Sequence, residues 1–250
     1  MKTTLLLSLL AFVSVPAFAA ERPNTVLTAE TPAPAISKEV GEAILDELRQ
    51  IHALLEKQQA TPKVQAAGDT VKISNAGFSM GRDDAPLTLV EFADYQCPFC
   101  RQFHTAVFAR LKKEYIDTGK LRFISRDLPL EFHSSATAAA SAARCAAEQN
   151  RFWPMREALI SHADKLEPKD VESYAETISI DLNQFRSCTA SGKYLASIQA
   201  DVAEANSAGI AATPTFVLGK VSGSRIEGVR LVGAQPYETF VKLLGTGALK

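Results

Sequence analysis

Two cysteines, Cys97 and Cys100, stand three positions apart between a strand-like segment and a helix-like segment. The apolar run at 87–92 comes before them, and a helical pattern of apolar residues follows them. Residues i and i+3 are neighbours in the first turn of a helix, so the two sulfurs lie within disulfide distance. Pro98 suits that turn, where a backbone N–H has no helical partner. The spacing therefore predicts a redox-active pair at the start of a helix.

The predicted helix also makes the two thiols unequal. The positive end of the helix favours a thiolate on Cys97, so we expect its pKa to fall. Cys100 lies one turn further in and is predicted to be the less exposed, resolving partner. Two alternatives are a zinc site and a purely structural disulfide. Zinc takes four ligands, and the chain has no second CxxC; His104 alone does not complete a site. We expect no metal and no cofactor.

The first residues of the chain are typical of a secretory signal. Lys2 precedes an apolar run, Leu5 to Val15, and the A-x-A pattern of Ala17 to Ala19 follows it. This order predicts a signal peptide at 1–19, cleaved after Ala19. The protein is therefore expected in the periplasm, an oxidising compartment in which disulfides persist. Basic and acidic residues nearly balance, 27 against 28, which gives no reason to propose a nucleic-acid partner.

Residues 20–68 are predicted to be linker sequence around one amphipathic helix, Lys38–Gln59. The apolar positions Ile44, Leu48, Ile51 and Leu55 follow a spacing of four, three and four, which is typical of a short coiled coil. A lone helix of this length is marginal in water, so this face must be buried. It packs either on the chain's own domain or in a homodimer or homotrimer. The proline- and alanine-containing linker that follows the helix favours the oligomer.

The remaining chain predicts an α/β fold with a helical block inside it. A β-α-β unit favours two parallel strands with a right-handed crossover. A series of helices follows, and then two strands and a closing helix. We divide this part into a first sheet segment, a helical insertion and a second sheet segment, at 69–132, 133–209 and 210–250.

Two further cysteines, Cys145 and Cys188, fall on two of the predicted insertion helices. In an oxidising compartment a structural disulfide between them is expected. Free buried thiols and a redox relay are the alternatives.

Three features together resemble the DsbA family of periplasmic thiol–disulfide oxidoreductases. They are the run from Glu91 to Cys100, the helical insertion, and the segment Ala212-Thr213-Pro214-Thr215-Phe216. The resemblance covers about residue 70 to the end of the chain. It implies a thioredoxin-like fold, substrates that are exported proteins with thiols or disulfides, and a membrane redox partner that recycles the site. It also implies a cis Pro214 beside the cysteine pair, with the backbone of Thr213 free to pair with substrate.

Glu91 is a charged residue in an otherwise apolar strand, six positions before Cys97. Buried there, its carboxylate would shuttle the proton of Cys100. Alternatively, Glu91 lies near the strand end and pairs with a base such as Lys120.

The direction of the reaction stays open at this level. Strongly oxidising family members commonly carry histidine at the position of Phe99, whereas family isomerases often have threonine at the position of Thr213. Family isomerases are also oligomers joined by an N-terminal region, a role that Lys38–Gln59 would fill. Three hypotheses follow: an oxidase that introduces disulfides into exported proteins, an oligomeric isomerase or reductase, and a non-enzymatic chaperone.

Overall fold

The structure is a computed structural model that describes residues 37–59 and 69–245, with the backbone alone for 52–59. The predicted signal peptide at 1–19 and most of both predicted linkers lie outside the described residues. The chain divides into two units, one containing the N-terminal helix and the other containing residues 69–245. Each unit is considered by itself. In the described part of the chain, no helix is long and apolar enough to cross a membrane.

The N-terminal helix, α1, spans Lys38–Gln59, the bounds that the sequence predicted. Ser37 caps it, since the Ser37 hydroxyl accepts a hydrogen bond from Val40 N at 3.3 Å. Apolar side chains on this helix, Ile44, Leu48 and Ile51 among them, are between 47% and 56% exposed. Within its own unit, the helix therefore leaves this apolar seam uncovered. The side chain of Leu55, the fourth predicted seam position, lies outside the described residues.

Six strands among the described residues form one sheet in the order β1-β6-β5-β3-β4-β2. Their bounds are Thr70–Ser74 (β1), Phe78–Met80 (β2), Leu87–Ala93 (β3), Leu121–Asp127 (β4), Thr215–Ser222 (β5) and Arg225–Val232 (β6). Every residue of β3 is buried. This strand pairs in parallel with β4 and antiparallel with β5. The predicted parallel β-α-β unit is therefore present. The short strand β2 was not predicted, because its three residues carry too little pattern.

A continuous helical run at 98–116 connects β3 to β4. It consists of Pro98–Phe103 (α2), a π turn at His104–Phe108, Ala109–Leu111 (α3) and a second π turn at Lys112–Ile116. Its buried apolar residues, such as Phe103 and Leu111, pack against the sheet in a core with Phe216 and Phe240. The packing holds the first turn of α2 at the carboxyl end of β3.

The helical insertion lies between β4 and β5. It contains Ala136–Ala147 (α4), Phe152–Ser161 (α5), Pro168–Thr177 (α6), Leu182–Ser191 (α7) and Leu195–Ser207 (α8), and Tyr237–Gly245 (α9) closes the chain. The alanines of α4 are mostly buried, which lets the neighbouring helices approach closely. Cys145 on α4 and Cys188 on α7 form a disulfide with a Cα–Cα distance of 5.8 Å.

Buried ion pairs attach the insertion to the end of β4. Arg126 contacts Asp201 of α8 at 2.6 Å, and Arg144 of α4 contacts both Asp127 and Asp201, at 2.7 and 2.6 Å. Removing one member of such a network leaves an uncompensated buried charge, which is strongly destabilising. These ion pairs therefore fix the insertion at the carboxyl end of β4, the same end of the sheet at which α2 begins after β3.

Candidate thiol–disulfide site

Cys97 is the N-cap residue of α2, in an extended conformation with φ −74° and ψ 122°. Its backbone N–H donates to Asp94 O at 3.1 Å, and its carbonyl accepts from Arg101 N at 3.2 Å. Pro98 occupies the first helical position, where no N–H is required. Cys97 and Cys100 are both unpaired thiols in this structure. The sequence pattern thus places the first sulfur at the positive end of the helix, as the spacing predicted.

The surroundings of Cys97 favour its thiolate. A hydrogen bond from the Cys100 thiol lowers the pKa of Cys97 to about 5, with further help from Thr213 and the backbone N–H groups of Cys100 and Phe99, while burial opposes the shift. The hydroxyl Oγ1 of Thr213 is buried and has no hydrogen-bond partner within the described residues, so it is free to donate to the thiolate. In the thiol form, Cys97 Sγ lies 3.4 Å from Thr213 O.

The surroundings of Cys100, in contrast, disfavour its thiolate. Its side chain is fully buried, and Asp94 N lies 3.5 Å from its sulfur. Burial raises the pKa of Cys100 well above its usual range, and the charges of Glu91 and the Cys97 thiolate raise it further. The two sulfurs of one CxxC pair therefore differ widely in acidity, with the ionised sulfur at the helix end.

The segment before β5 closes the site from the other side. The Thr213–Pro214 peptide bond is cis, and Pro214 O accepts a hydrogen bond from Gly233 N at 2.7 Å. β5 begins one residue later, at Thr215. The fold thus brings Thr213, more than a hundred residues away in sequence, into contact with Cys97.

Glu91 lies in the middle of the buried strand β3 and is completely inaccessible to solvent. Its carboxylate contacts Arg156 Nη2 at 2.5 Å and His104 Nε2 at 3.0 Å. Burial raises the pKa of Glu91, but His104 and Arg156 outweigh burial and bring the pKa below its usual value. The alternative expectation, that Glu91 pairs with a base, is therefore met by Arg156 rather than by Lys120, and the carboxylate lies in the interior rather than at a strand end.

Sequence reasoning missed Arg156, which reaches Glu91 from α5 across 65 positions of the chain. No local pattern marks it, since it lies in a helix whose other features indicate packing. His104 was considered only as a zinc ligand. Its position one turn after Cys100 was the available signal that it lies near the site.

Asp94 and Gln96 hold the loop between β4 and α4 against the cysteine pair. Asp94 Oδ2 accepts from Leu130 N at 2.8 Å and contacts His133 Nδ1 at 2.8 Å. Gln96 Oε1 accepts from Ser135 N at 2.9 Å. The loop presents Phe132, which is 78% exposed, while Phe99 of the CxxC segment is 59% exposed. Exposed phenylalanines therefore occur on both segments that surround the cysteines.

The described side chains contain no group of three or more histidine, cysteine, aspartate or glutamate residues that could hold a metal ion.

Comparison with known proteins agrees with this site. A family model described as thioredoxin matches residues 73–244, most of the chain. The chain belongs to this thioredoxin family. Among solved structures, alpha-DsbA1 of Wolbachia pipientis is 27% identical and superposes with a TM-score of 0.59, covering 68% of this chain and 92% of that one. The chain therefore has a DsbA-like fold, and the predicted thioredoxin-like fold with its helical insertion is confirmed.

Other similar proteins extend this result at the level of fold and sequence. BdbD of Bacillus subtilis, in its oxidised form, has a TM-score of 0.62 at 22% identity and covers 72% of this chain and 98% of that one, which shows a shared fold. A curated relative from Salinispora tropica, named Na(+)/H(+) antiporter NhaA 3, is 40% identical over 149 residues, or 59% of this chain. The chain spans 22% of the length of that relative.

Proposed function

We propose that this chain is a thiol–disulfide oxidoreductase, and that it acts as an oxidase that gives the Cys97–Cys100 disulfide to thiol pairs of exported proteins in the periplasm. The observation that carries the proposal is the low pKa of Cys97, about 5. A pair whose reduced form is stabilised by a thiolate has a labile disulfide and a more oxidising potential. The sequence pattern of a signal peptide at 1–19 supports the compartment.

The reaction begins when a substrate thiolate attacks Cys97 Sγ in the oxidised enzyme. The Cys97–Cys100 bond breaks, its electron pair goes to the Cys100 sulfur, and that sulfur takes up a proton. A second substrate thiolate then attacks the substrate sulfur of the mixed disulfide. Cys97 leaves as a thiolate, the substrate gains a disulfide, and the enzyme gains two electrons. A low pKa makes Cys97 the better leaving group in this second step.

Other groups near the sulfurs have supporting roles in this proposal. The backbone of Thr213, held next to Cys97 by the Thr213–Pro214 segment, pairs with an extended substrate segment. The Glu91 carboxylate carries the proton that Cys100 takes up or releases. The Cys145–Cys188 disulfide is structural and takes no part in exchange.

Each turnover leaves the enzyme reduced, so an external oxidant must remove two electrons. We assign this step to a membrane redox partner, which is consistent with the DsbA-like character of the chain. The same surface around Cys97 serves substrate and partner in turn, since both must reach this one sulfur.

An oligomeric isomerase or reductase is the second candidate, and one observation favours it. The seam of α1 leaves Ile44, Leu48 and Ile51 about half exposed, although a soluble helix of this kind normally buries such a face. A homodimer or homotrimer formed through Lys38–Gln59 would cover it and bring several cysteine pairs into one assembly. Light scattering on the mature protein measures the oligomeric state directly. A monomeric mass would exclude the oligomeric isomerase or reductase.

Two matched assays distinguish an oxidase from an isomerase. In the first, the oxidised enzyme is mixed with a reduced, unfolded secretory protein, and disulfides gained by the substrate are counted. In the second, the reduced enzyme is mixed with the same protein carrying scrambled disulfides. We expect fast transfer in the first assay and little activity in the second. The opposite result assigns the chain as an isomerase.

A non-enzymatic chaperone role is tested in the same experiments with the Cys97→Ser/Cys100→Ser double variant. We expect this variant to lose all thiol chemistry and to suppress aggregation of an unfolded client no better than an inert protein. Equal suppression by the double variant and the unmodified chain would favour the chaperone instead.

A further inference from the structure

A cavity of about 300 Å³, partly open to solvent, lies between the helical run at 98–116 and α5. Apolar side chains such as Phe108, Trp153 and Ile160 line most of it. His104 and Arg156 add polar groups to its wall. Both residues also contact the buried carboxylate of Glu91. The contacts of Glu91 therefore lead outward to this cavity.

His104 contacts two groups, one of which needs a hydrogen-bond donor and the other a hydrogen-bond acceptor. Its Nε2 atom lies 3.0 Å from Glu91 Oε2 and 3.0 Å from Arg156 Nη2. A carboxylate accepts only from an N–H group, whereas a guanidinium donates only to a lone pair. A neutral imidazole satisfies one partner at a time, and each of its two tautomers suits one of them. The geometry thus provides a ring with two states that differ by the position of one proton.

We propose that His104 delivers the proton that Cys100 takes up when the Cys97–Cys100 disulfide opens, with Glu91 as the carrier between them. This inference rests on the proposed oxidase function and adds the route of its proton. Cys100 itself is fully buried, so its leaving sulfur has no direct access to bulk water.

A substrate thiolate forms a bond to Cys97 Sγ, and the electron pair of the broken disulfide goes to Cys100. His104 Nε2–H passes its proton to the ionised Glu91 carboxylate, while the other ring nitrogen, Nδ1, takes one proton from solvent in the cavity that His104 lines. Glu91 then passes its proton to the Cys100 sulfur and is again ionised. The emptied Nε2 lone pair then accepts the N–H of Arg156.

The charges around the ring are compatible with this role. Glu91 of β3, together with Arg156 and Glu157 of α5, acts on His104, and Lys112 of its own helical run lines the same cavity. Lys112 is paired with Asp117 at 2.7 Å. Burial lowers the pKa of His104, Arg156 lowers it further, and Glu91 opposes both effects. A neutral ring is the form that two tautomers require.

His104 is the first residue of the π turn His104–Phe108, which is the nearer to the cysteines of the two π turns in the helical run at 98–116. Such turns within helices are rare and occur frequently at functional sites.

The test uses single turnovers of the full-length oxidised enzyme with excess glutathione, followed by stopped flow between about pH 5 and pH 9. His104→Gln retains a donor to Glu91 but cannot pass a proton through its ring. His104→Ala leaves space next to the cavity. We expect both variants to slow the opening of the disulfide by about 100-fold, the lower end of the 10²–10⁴-fold that positioned proton transfer typically contributes. Added imidazole should restore the rate of His104→Ala with saturation and leave that of His104→Gln unchanged.

His162→Gln is the matched control. His162 directly follows α5, and its ring contacts the backbone oxygen of Ala158. This variant should react like the unmodified enzyme. Rates within twofold of the unmodified enzyme for both His104 variants would overturn the proposal. A loss that imidazole does not restore would also overturn it, because His104 would then only support the Glu91–Arg156 pair. An unmodified enzyme that does not react with glutathione at all would instead reject the proposed function.

If His104→Ala does not fold, the unmodified protein provides a second test. Titration of its histidine rings by nuclear magnetic resonance is compared between the dithiol and disulfide forms. The midpoint and tautomer of His104 should differ between the two forms, while those of His162 should not. Identical behaviour of His104 in both forms would contradict the relay.

Discussion

The chain contains two cysteine pairs, one with free thiols and one that forms a disulfide. Cys97 and Cys100 are unpaired and sit at the start of a helix, where N–H groups point at the first sulfur. Cys145 and Cys188 form a disulfide and lie in the later turns of α4 and α7. Carbonyl groups dominate a helix C-terminus, and the Glu148 carboxylate lies 3.4 Å from Cys188 Sγ. Thiolates are therefore favoured at the first pair and disfavoured at the second.

In the proposed function, location on a helix rather than burial therefore makes the first disulfide labile and the second durable. All four cysteines are nearly or completely buried. A stabilised thiolate leaves easily and makes the disulfide oxidising, whereas sulfurs that resist ionisation hold their bond. The following predictions test the contrast between the two pairs.

The largest effect is expected on activity. Cys97→Ser should abolish transfer of disulfides to a reduced substrate, because no sulfur remains for the substrate to attack. The Cys145→Ser/Cys188→Ser double variant, in contrast, should retain full turnover at a temperature where it is folded. Disulfide formation in a reduced secretory protein measures both. A large loss of turnover in the folded double variant would make the second pair a redox relay.

The second prediction concerns acidity. Alkylation of the reduced protein by iodoacetamide should follow a midpoint near pH 5 for Cys97, against about 8.5 for a free cysteine. Cys100 should stay unreactive throughout this range because its pKa is raised. Mass spectrometry of peptides identifies the modified sulfur. A midpoint for Cys97 near that of a free cysteine would remove the basis of the proposed oxidase.

The same acidity has a consequence for stability. A depressed pKa in the folded state stabilises the reduced protein above the unfolded pKa of cysteine, and this contribution is lost as the pH falls towards about 5. The difference in free energy of unfolding between the reduced protein and Cys97→Ser should thus grow with rising pH. A constant difference would contradict the assigned thiolate.

The third prediction is a stability effect at the other pair. The Cys145–Cys188 bond closes a loop with a sequence separation of 43. In the chain-entropy model, losing it lowers the free energy of unfolding by about 4 kcal/mol. Urea unfolding of Cys145→Ser/Cys188→Ser measures this loss. Reducing the Cys97–Cys100 disulfide in the unmodified chain should not lower stability, and a large loss there would reverse the roles of the two pairs.

The smallest effect is expected at Phe99. Phe99→His adds an N–H donor near the Cys97 thiolate, and a hydrogen bond to a charged group contributes about 1.5–3 kcal/mol. The potential of the pair should rise by about 30–60 mV. Because the position is 59% exposed, the lower end is expected, and Phe99→Gln is the control that adds a neutral donor. An unchanged potential in both variants would show that this position does not adjust the thiolate.

Much of this contrast was predictable from sequence, because it depends on local spacing. The CxxC spacing and Pro98 indicated the helix start, and the alternation of segments gave the parallel β3–β4 unit. Long-range contacts could not be predicted in the same way. Arg156 reaches Glu91 only after α5 packs against the helical run at 98–116. The contact between Asp94 and His133 depends on where the loop after β4 returns. Neither contact leaves a periodic signal in the chain.

The equilibrium of the Cys97–Cys100 pair against a series of glutathione redox mixtures tests the oxidase assignment most directly. Cys145 and Cys188 are followed separately in the same samples. We predict that Cys97 and Cys100 are already reduced in mildly reducing mixtures, while Cys145 and Cys188 remain bonded. If the Cys97–Cys100 disulfide persists until glutathione is strongly reducing, the pair is a poor oxidant and the oxidase assignment is wrong.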